Sequence, residues 1–246
     1  MKKLVAYITA SYPNSNFTID LALNLKEAGV DYIELGIPFS DPVADGPTIQ
    51  EANLRALNKG FKIKNLFEIS SKIAPHINTL WMGYFNPFYH KGIELFIEEA
   101  KKSKVKGFII PDLPYEEAIV YKPLIEENNL CLIDFVAPTD SKARVQKILK
   151  DAKEFIYMVA YAGITGSSKS EDLKELIKSV KEVSTTPLFI GFGVNEKNAK
   201  EKAKGVDGVI VGSEFIKTLI DDSLSHKEKI RKISTTAKNI KEKINS

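Results

Sequence analysis

An eight-stranded parallel α/β barrel, the (β/α)8 or TIM-barrel architecture, is the fold class this sequence predicts, and three observations carry the prediction. Short runs rich in β-branched and aromatic residues alternate with longer segments of helical period from end to end, the pattern of repeated βα units. Eight such units recur about every 30 residues, so that 246 residues match the ~250 of a complete barrel. No Ser/Gly-rich linker, low-complexity tract or shift of composition divides them, and a single domain over 1–246 is expected.

The first strand is read over 3–9 (Lys-Leu-Val-Ala-Tyr-Ile-Thr). With the lysines ahead of it the run faintly imitates a signal peptide, but it is short, includes Thr9 and lacks a small-x-small cleavage site before Tyr12-Pro13. The first helix, near 17–29, takes Asn16 as its capping residue and Gly29 as a left-handed C-cap. Strand two, 31–36, opens into a loop broken by Pro and Gly. A helix over 47–58 follows, because proline suits a first turn and Gln50, Ala52, Leu54, Arg55, Ala56 and Leu57 favour helix; a second segment, 63–74, comes after it. Strands three to eight are placed at 78–83, 106–111, 130–136, 155–160, 187–191 and 207–212, with helices near 91–103, 115–128, 140–151, 170–182 and 195–203. Asp140 and Ser141 suit the N-cap ahead of Val145, Ile148 and Leu149. Helices near 213–219 and 226–243 end the chain. In the last, Ile230, Ile233, Ala237, Ile240 and Ile244 step by three or four along one face between basic residues, which reads as an outer helix docked on the barrel rather than a nucleic-acid or membrane arm.

Composition narrows the classes of function. With 43% hydrophobic and 27% charged residues the chain is an ordinary soluble globular protein, and a net charge of +3 implies no particular partner. No apolar run approaches the ~20 residues that span a bilayer. The single cysteine, Cys131, excludes an internal disulfide framework, fits a reducing compartment and lies in an apolar run, as an inert buried thiol would. The expected location is the cytoplasm.

Barrel enzymes gather their working side chains at the C-terminal ends of the strands. Glu34 sits at such an end after strand two, Asp41 and Asp45 follow on the attached loop, and Asp112 ends strand four in Ile109-Ile110-Pro111-Asp112. A carboxylate in a barrel mouth must be paired, hydrogen-bonded or neutralised by a raised pKa. Glu34 is therefore read as catalytic, against a structural hydrogen-bonding role; Ser40-Asp41-Pro42 is also plain turn chemistry. Gly191-Phe192-Gly193 after strand seven and Gly212-Ser213 after strand eight, just before a short helix, have the order of the phosphate site many barrels share, to which Gly163-Ile164-Thr165-Gly166 could add; turn glycines are the alternative. His76, His90 and His226 lack ligand-like spacing, so no metal is expected. No lysine closes a strand at the mouth, which argues against Schiff-base chemistry. What remains is acid/base chemistry by carboxylates on a phosphorylated substrate, with two or three of Tyr7, Trp81, Met82, Tyr84, Phe108, Phe135, Tyr157 and Phe192 available to hold a flat ring.

The run Glu34-Leu35-Gly36-Ile37-Pro38-Phe39-Ser40-Asp41-Pro42-Val43-Ala44-Asp45-Gly46-Pro47-Thr48-Ile49-Gln50 resembles the signature of the tryptophan synthase alpha subunit family. Asn86 with Lys91-Gly92, Asp112-Leu113-Pro114, Ala162 to Gly166, Gly191 to Gly193 and Gly212-Ser213 extend the likeness over nearly the whole chain. The resemblance implies a retro-aldol cleavage of indole-3-glycerol phosphate to indole and glyceraldehyde 3-phosphate, without metal or cofactor in this chain. It implies Glu34 as general acid/base and Asp45 as acceptor of the indole N–H hydrogen bond. It also places Gly166, Gly193, Gly212 and Ser213 at the phosphate and Tyr7, Met82, Ile109, Tyr157, Thr165 and Phe192 around the indole. Asp41, Pro42 and Asn86 would face a pyridoxal-phosphate-bearing beta subunit in an α2β2 assembly that receives the indole through a tunnel, with the loops after strands two and six as lids. Three positions depart from the pattern: strand one begins at Lys3 or Leu4 where many relatives have an extra helix first, Tyr161 stands where Arg is frequent, and Tyr7 replaces a common Phe. A stand-alone lyase and a catalytically silent regulatory partner are the alternatives, the second disfavoured by the presence of both Glu34 and Asp45.

Overall fold

The computed structural model describes residues 1–159 and 169–246, the side chains of 169–172 excepted. Its parallel strands are β1 (Lys3–Thr9), β2 (Tyr32–Gly36), β3 (Asn78–Met82), β4 (Gly107–Ile109), β5 (Cys131–Leu132), β6 (Asp134–Val136), β7 (Ile156–Val159), β8 (Leu188–Gly191) and β9 (Gly208–Val211). They lie in the order β5-β4-β3-β2-β1-β9-β8-β7-β6. The predicted strand over 130–136 is thus two pieces parted at Ile133: β5 pairs with β4 and β6 with β7. One stretch of chain therefore supplies both ends of the sheet, and the eight-membered TIM barrel closes on it. The break has a physical reason, since a short strand that serves two differently twisted neighbours must re-aim its hydrogen bonds part-way along.

Around the sheet run α1 (Ser15–Glu27), α2 (Pro47–Asn58), α3 (Ile63–Ile73), α4 (Phe85–Lys91), α5 (Ile93–Ser103), α6 (Tyr115–Glu127), α7 (Lys142–Leu149), α8 (Lys169–Val183), α9 (Ala199–Lys202), α10 (Ser213–Leu219) and α11 (His226–Ile244). Two helix readings need correction. The cap of α1 is Asn14, whose side chain accepts from Phe17 N at 2.9 Å, so the helix starts before Asn16. The helix expected over 91–103 is preceded by a separate one, α4, because Pro87 falls in a first turn where proline is tolerated, and Gly92 at φ +89° ends one helix and starts the next. As expected, α11 docks on its apolar face, with Ile233, Ala237, Ile240 and Ile244 buried.

Alternation along the strands sorts the side chains into two sets. Leu35, Trp81 and Phe108 point outward to the helices, where Trp81 Nε1 donates to Ser70 Oγ of α3 at 2.7 Å. Val5, Leu80, Ile109, Cys131, Ile133, Phe155, Tyr157, Phe189 and Ile210 fill the interior. Cys131 is buried there, and burial pushes its thiol up to about 12. At the bottom Tyr32 packs edge-on to Phe155 and Phe189, which stack at 4.4 Å, and the Tyr32 hydroxyl donates to Glu154 Oε1 at 2.9 Å. The Lys241 ammonium of α11 ties the N-terminal strand down through Lys2 O at 2.9 Å and Asp31 Oδ2 at 2.5 Å. The bottom is sealed by side chains, and the opposite end is left open for a site.

Candidate active site

Register decides which groups meet at the open end. Tyr7 of β1 pairs with Glu34 of β2, and Glu34 with Leu80 of β3, so the Glu34 carboxyl projects inward above the apolar interior. Gly36 and Gly191 make room beside it. A Cβ at Gly36 would lie 2.3 Å from the Tyr7 hydroxyl oxygen and one at Gly191 2.4 Å from the Tyr157 ring, so each tyrosine can lie across a neighbouring strand only because that strand carries glycine there. The result is a cavity of about 200 Å³ whose walls include Tyr7, Glu34, Asp45, Met82, Tyr157 and Phe192 on one side and Gly193, Gly212 and Ser213 on the other.

Glu34 is 2% exposed, and among the described residues its Oε1 has no hydrogen-bond partner. Burial, and secondarily the nearby Asp45, push its pKa up to about 8. Asp45 is raised less, to about 6: burial acts on it too, but Tyr84 and Asn53 oppose the effect by hydrogen bonding to its charged form. The Asn53 contact runs from Nδ2 to Asp45 Oδ2 at 3.4 Å. Two carboxyls that share one cavity are thereby set apart, Glu34 being the more strongly held in its protonated form and Asp45 the more readily ionised. Such a split is how a single site obtains an acid and an anion from chemically similar groups.

The loop bearing Asp45 is built locally. Val43 N donates to Asp41 O at 2.9 Å, Asp45 N to Pro42 O at 3.0 Å, and Gln50 Nε2 of α2 to Asp45 O at 2.8 Å. Pro47 then starts α2 at its first turn. Across the cavity Phe192 and Gly193 both adopt left-handed backbone, φ +68° and +71°, and Asn198 Nδ2 holds the Gly193 carbonyl at 2.8 Å. Gly212 leads into α10, where Phe215 N and Ile216 N donate to Gly212 O at 2.9 and 3.1 Å and the amides of Ser213 and Glu214, the first two of the helix, have no partner within it.

Of the residues picked from sequence, Tyr7, Glu34, Asp45, Met82, Tyr157, Phe192, Gly193, Gly212 and Ser213 line this one cavity. Ile109 lies in the interior beside Met82 and does not reach the wall. Thr165, Gly166 and Tyr161 lie outside the described residues. Asp41 and Asn86 are exposed on the rim and Pro42 is buried beneath it. Asp112 is a capping group, accepting from Phe85 N at the start of α4 at 2.8 Å. Sequence reasoning missed Ile49, Asn195, Ile210, Glu214 and Lys217. Lys217 had a signal, standing four residues after Ser213 and so one helical turn along the same face. Among the described residues no cluster of His, Cys, Asp and Glu could hold a metal ion, and no helix is long and apolar enough to cross a membrane.

The family model described as tryptophan synthase alpha chain matches residues 1–245. The alpha chain of Wolinella succinogenes is 56% identical over 247 residues, covering 100% of this chain and 97% of that one, and the alpha chain of Petrotoga mobilis is 42% identical over 94% and 91%. Among solved structures, tryptophan synthase subunit alpha from Campylobacter jejuni superposes with a TM-score of 0.87 at 33% identity, covering 96% of this chain and 95% of that one. A tryptophan synthase chain from M. tuberculosis superposes at 0.88 and 29%, covering 100% and 94%. The chain belongs to the tryptophan synthase alpha chain family, a family of lyases that cleave indole-3-glycerol phosphate.

Proposed function

We propose that Glu34 and Asp45 carry out that cleavage in this chain, and the observation behind the assignment is the unlike setting of two carboxyls in one cavity, Glu34 buried with an unpartnered Oε1 and Asp45 hydrogen-bonded by Asn53. The bond from indole C3 to the glycerol carbon breaks once C3 has been protonated, because the ring then draws electrons toward a positively charged N1. Glu34, protonated at neutral pH, gives its proton to C3. Asp45, ionised, accepts the N1–H hydrogen bond and stabilises the cation as it forms. The Glu34 carboxylate then takes the proton of the hydroxyl on the carbon attached to C3. As that O–H becomes C=O, the electrons of the breaking C–C bond restore the indole double bond and discharge N1. Indole and the aldehyde leave, and Glu34 holds a proton again, so one residue closes the proton balance.

Tyr7, Met82, Tyr157 and Phe192 form the wall for the indole ring. The phosphate lies against Gly193, Gly212 and Ser213, where the left-handed loop and the start of α10 offer backbone amides. The family likeness assigns Gly166 to the phosphate and Thr165 to the indole, and Ile109, paired with Met82 on the next strand, backs the ring wall from the interior. Lys217 brings a cation to the phosphate end of the cavity. Asp41, Pro42 and Asn86 mark the face toward a beta subunit, in an α2β2 complex whose beta subunit carries pyridoxal phosphate and condenses the indole with serine in the cytoplasm. Support for that face comes from the exposure of Asp41 and Asn86 and of Val43, 81% accessible, on one rim. Indole release from indole-3-glycerol phosphate by wild type, Glu34→Gln and Asp45→Asn, each with and without added beta subunit, tests the assignment. Wild-type turnover in either variant refutes the roles, and unchanged wild-type turnover on adding beta subunit refutes the partnership.

A further inference from the structure

The loop that carries Asp45 is held from outside by one residue that contributes nothing to the cavity wall. Tyr84, on the segment between β3 and α4, is 1% exposed. Its ring stacks on Phe39 of the Asp45 loop at 5.4 Å and 27°. Its hydroxyl oxygen accepts from Ala44 N at 3.0 Å. Asp45 is the next residue after Ala44, so the phenol and its ring fix the backbone from which that carboxylate projects, and the phenol also favours the ionised form of Asp45. The two segments are also joined by backbone, Ile37 N donating to Met82 O at 2.7 Å. Gly83 permits this approach, since a Cβ there would lie 2.9 Å from Ile37 Cδ1.

We infer that Tyr84 is a positioning residue for the cleavage: by holding Phe39 and Ala44, the residue before Asp45, it aims the Asp45 carboxylate at the indole nitrogen. The inference rests on the role proposed for Asp45. The groups facing Asp45 are Glu34 from β2, Tyr7 from β1, Tyr157 from β7, Asn53 from α2 and Tyr84 itself, with Glu214 and Lys217 of α10 also on the cavity wall. Of these, Asn53 and Tyr84 favour the ionised form of Asp45. Loss of the Tyr84 hydroxyl is therefore expected both to loosen the carboxylate and to make it easier to protonate.

The test is Tyr84→Phe, which keeps the ring on Phe39 and removes only the oxygen. We expect kcat at pH 7 to fall about tenfold, the scale of a lost hydrogen bond to a charged group, with KM within about twofold. The acid limb of the pH profile is expected to move upward by about half a pH unit or more. Titration of the substrate phosphate is common to wild type and variant, so the displacement belongs to the enzyme. In an Asp45→Asn background the same change is expected to cost nothing further. Wild-type kcat with an unmoved acid limb overturns the inference, as does an equal tenfold loss in the Asp45→Asn background. Wild-type turnover of Asp45→Asn alone instead refutes the role of Asp45, a separate result. Should Tyr84→Phe not fold, Phe39→Leu, which removes the ring stacked on Tyr84, is expected to lower kcat and raise the acid limb in smaller measure; an unchanged profile there overturns the inference equally.

Discussion

Glu34 should be a liability to the fold, and its removal should show this as a slope. A buried carboxyl with a folded pKa of about 8 and an ordinary value of 4.5 keeps its proton over a range of pH in which the unfolded chain has released it. The folded state then binds more protons than the unfolded one, so stability falls as pH rises through that range, by about 1.36 kcal/mol for each pH unit. The stabilising contribution of protonation is complete only below pH 4.5 and is gone above about 8. Glu34→Gln has the same shape and no titration. Its own burial cost is constant with pH, and the contribution of Asp45 is present in both chains. The difference in unfolding free energy, wild type minus Glu34→Gln, should therefore fall by roughly 3 to 4 kcal/mol between pH 5 and pH 8. Urea unfolding followed by circular dichroism at pH 5, 6, 7 and 8 on both chains measures it directly. A difference that stays flat across that range would show that Glu34 ionises in the fold as readily as in water, and the acid role built on its burial would go with it.

Other expectations follow from the same geometry. Glu34→Gln and Asp45→Asn should each lower kcat by about 10² or more with folding preserved, measured by indole release and circular dichroism. The wild-type rate should follow a bell, falling about ninefold from pH 7 to pH 9 as Glu34 loses its proton near 8; a flat alkaline side to pH 9 contradicts the acid role. Lys122 and Asp134 form a buried pair, 2.7 Å from Nζ to Oδ2, between α6 and β6. Lys122→Met leaves the carboxylate unpaired and should destabilise the fold by about 3 kcal/mol or more in urea unfolding, whereas the same change at exposed Lys102 should do almost nothing. Gly36→Ala should lower kcat/KM by displacing the Tyr7 ring, and Tyr7→Phe in the same chain should not restore it, because a Cβ there would still lie 2.5 and 2.6 Å from the ring carbons Cζ and Cε2.

The sequence by itself determined the alternation of strands and helices, the barrel, and which residue types stand at the ends of the strands. Hydrophobic alternation and the placement of Pro47, Gly29 and Ser141 are local signals, set by backbone sterics and capping within a few residues, so they read correctly without a fold. The carboxylates of the β2 loop and the glycines after β8 and β9 were legible for the same reason: barrel topology sends the C-terminal end of every strand to one face. Tertiary structure alone decided what depends on neighbours distant in sequence. Ile109 and Met82 both point inward at paired positions, yet only Met82 lines the cavity, because which neighbouring side chains cover a residue is not written in its own strand. Asp112 looked like a third working acid and proved to cap α4, since the Phe85 amide it meets lies 27 residues away. The part played by Tyr84 was likewise invisible in the sequence, for it arises where two loops lean on each other. Above all, the difference between Glu34 and Asp45 required the fold. Both are carboxylates in one motif, and what separates their pKa values is the water excluded from one and the Tyr84 and Asn53 hydrogen bonds supplied to the other.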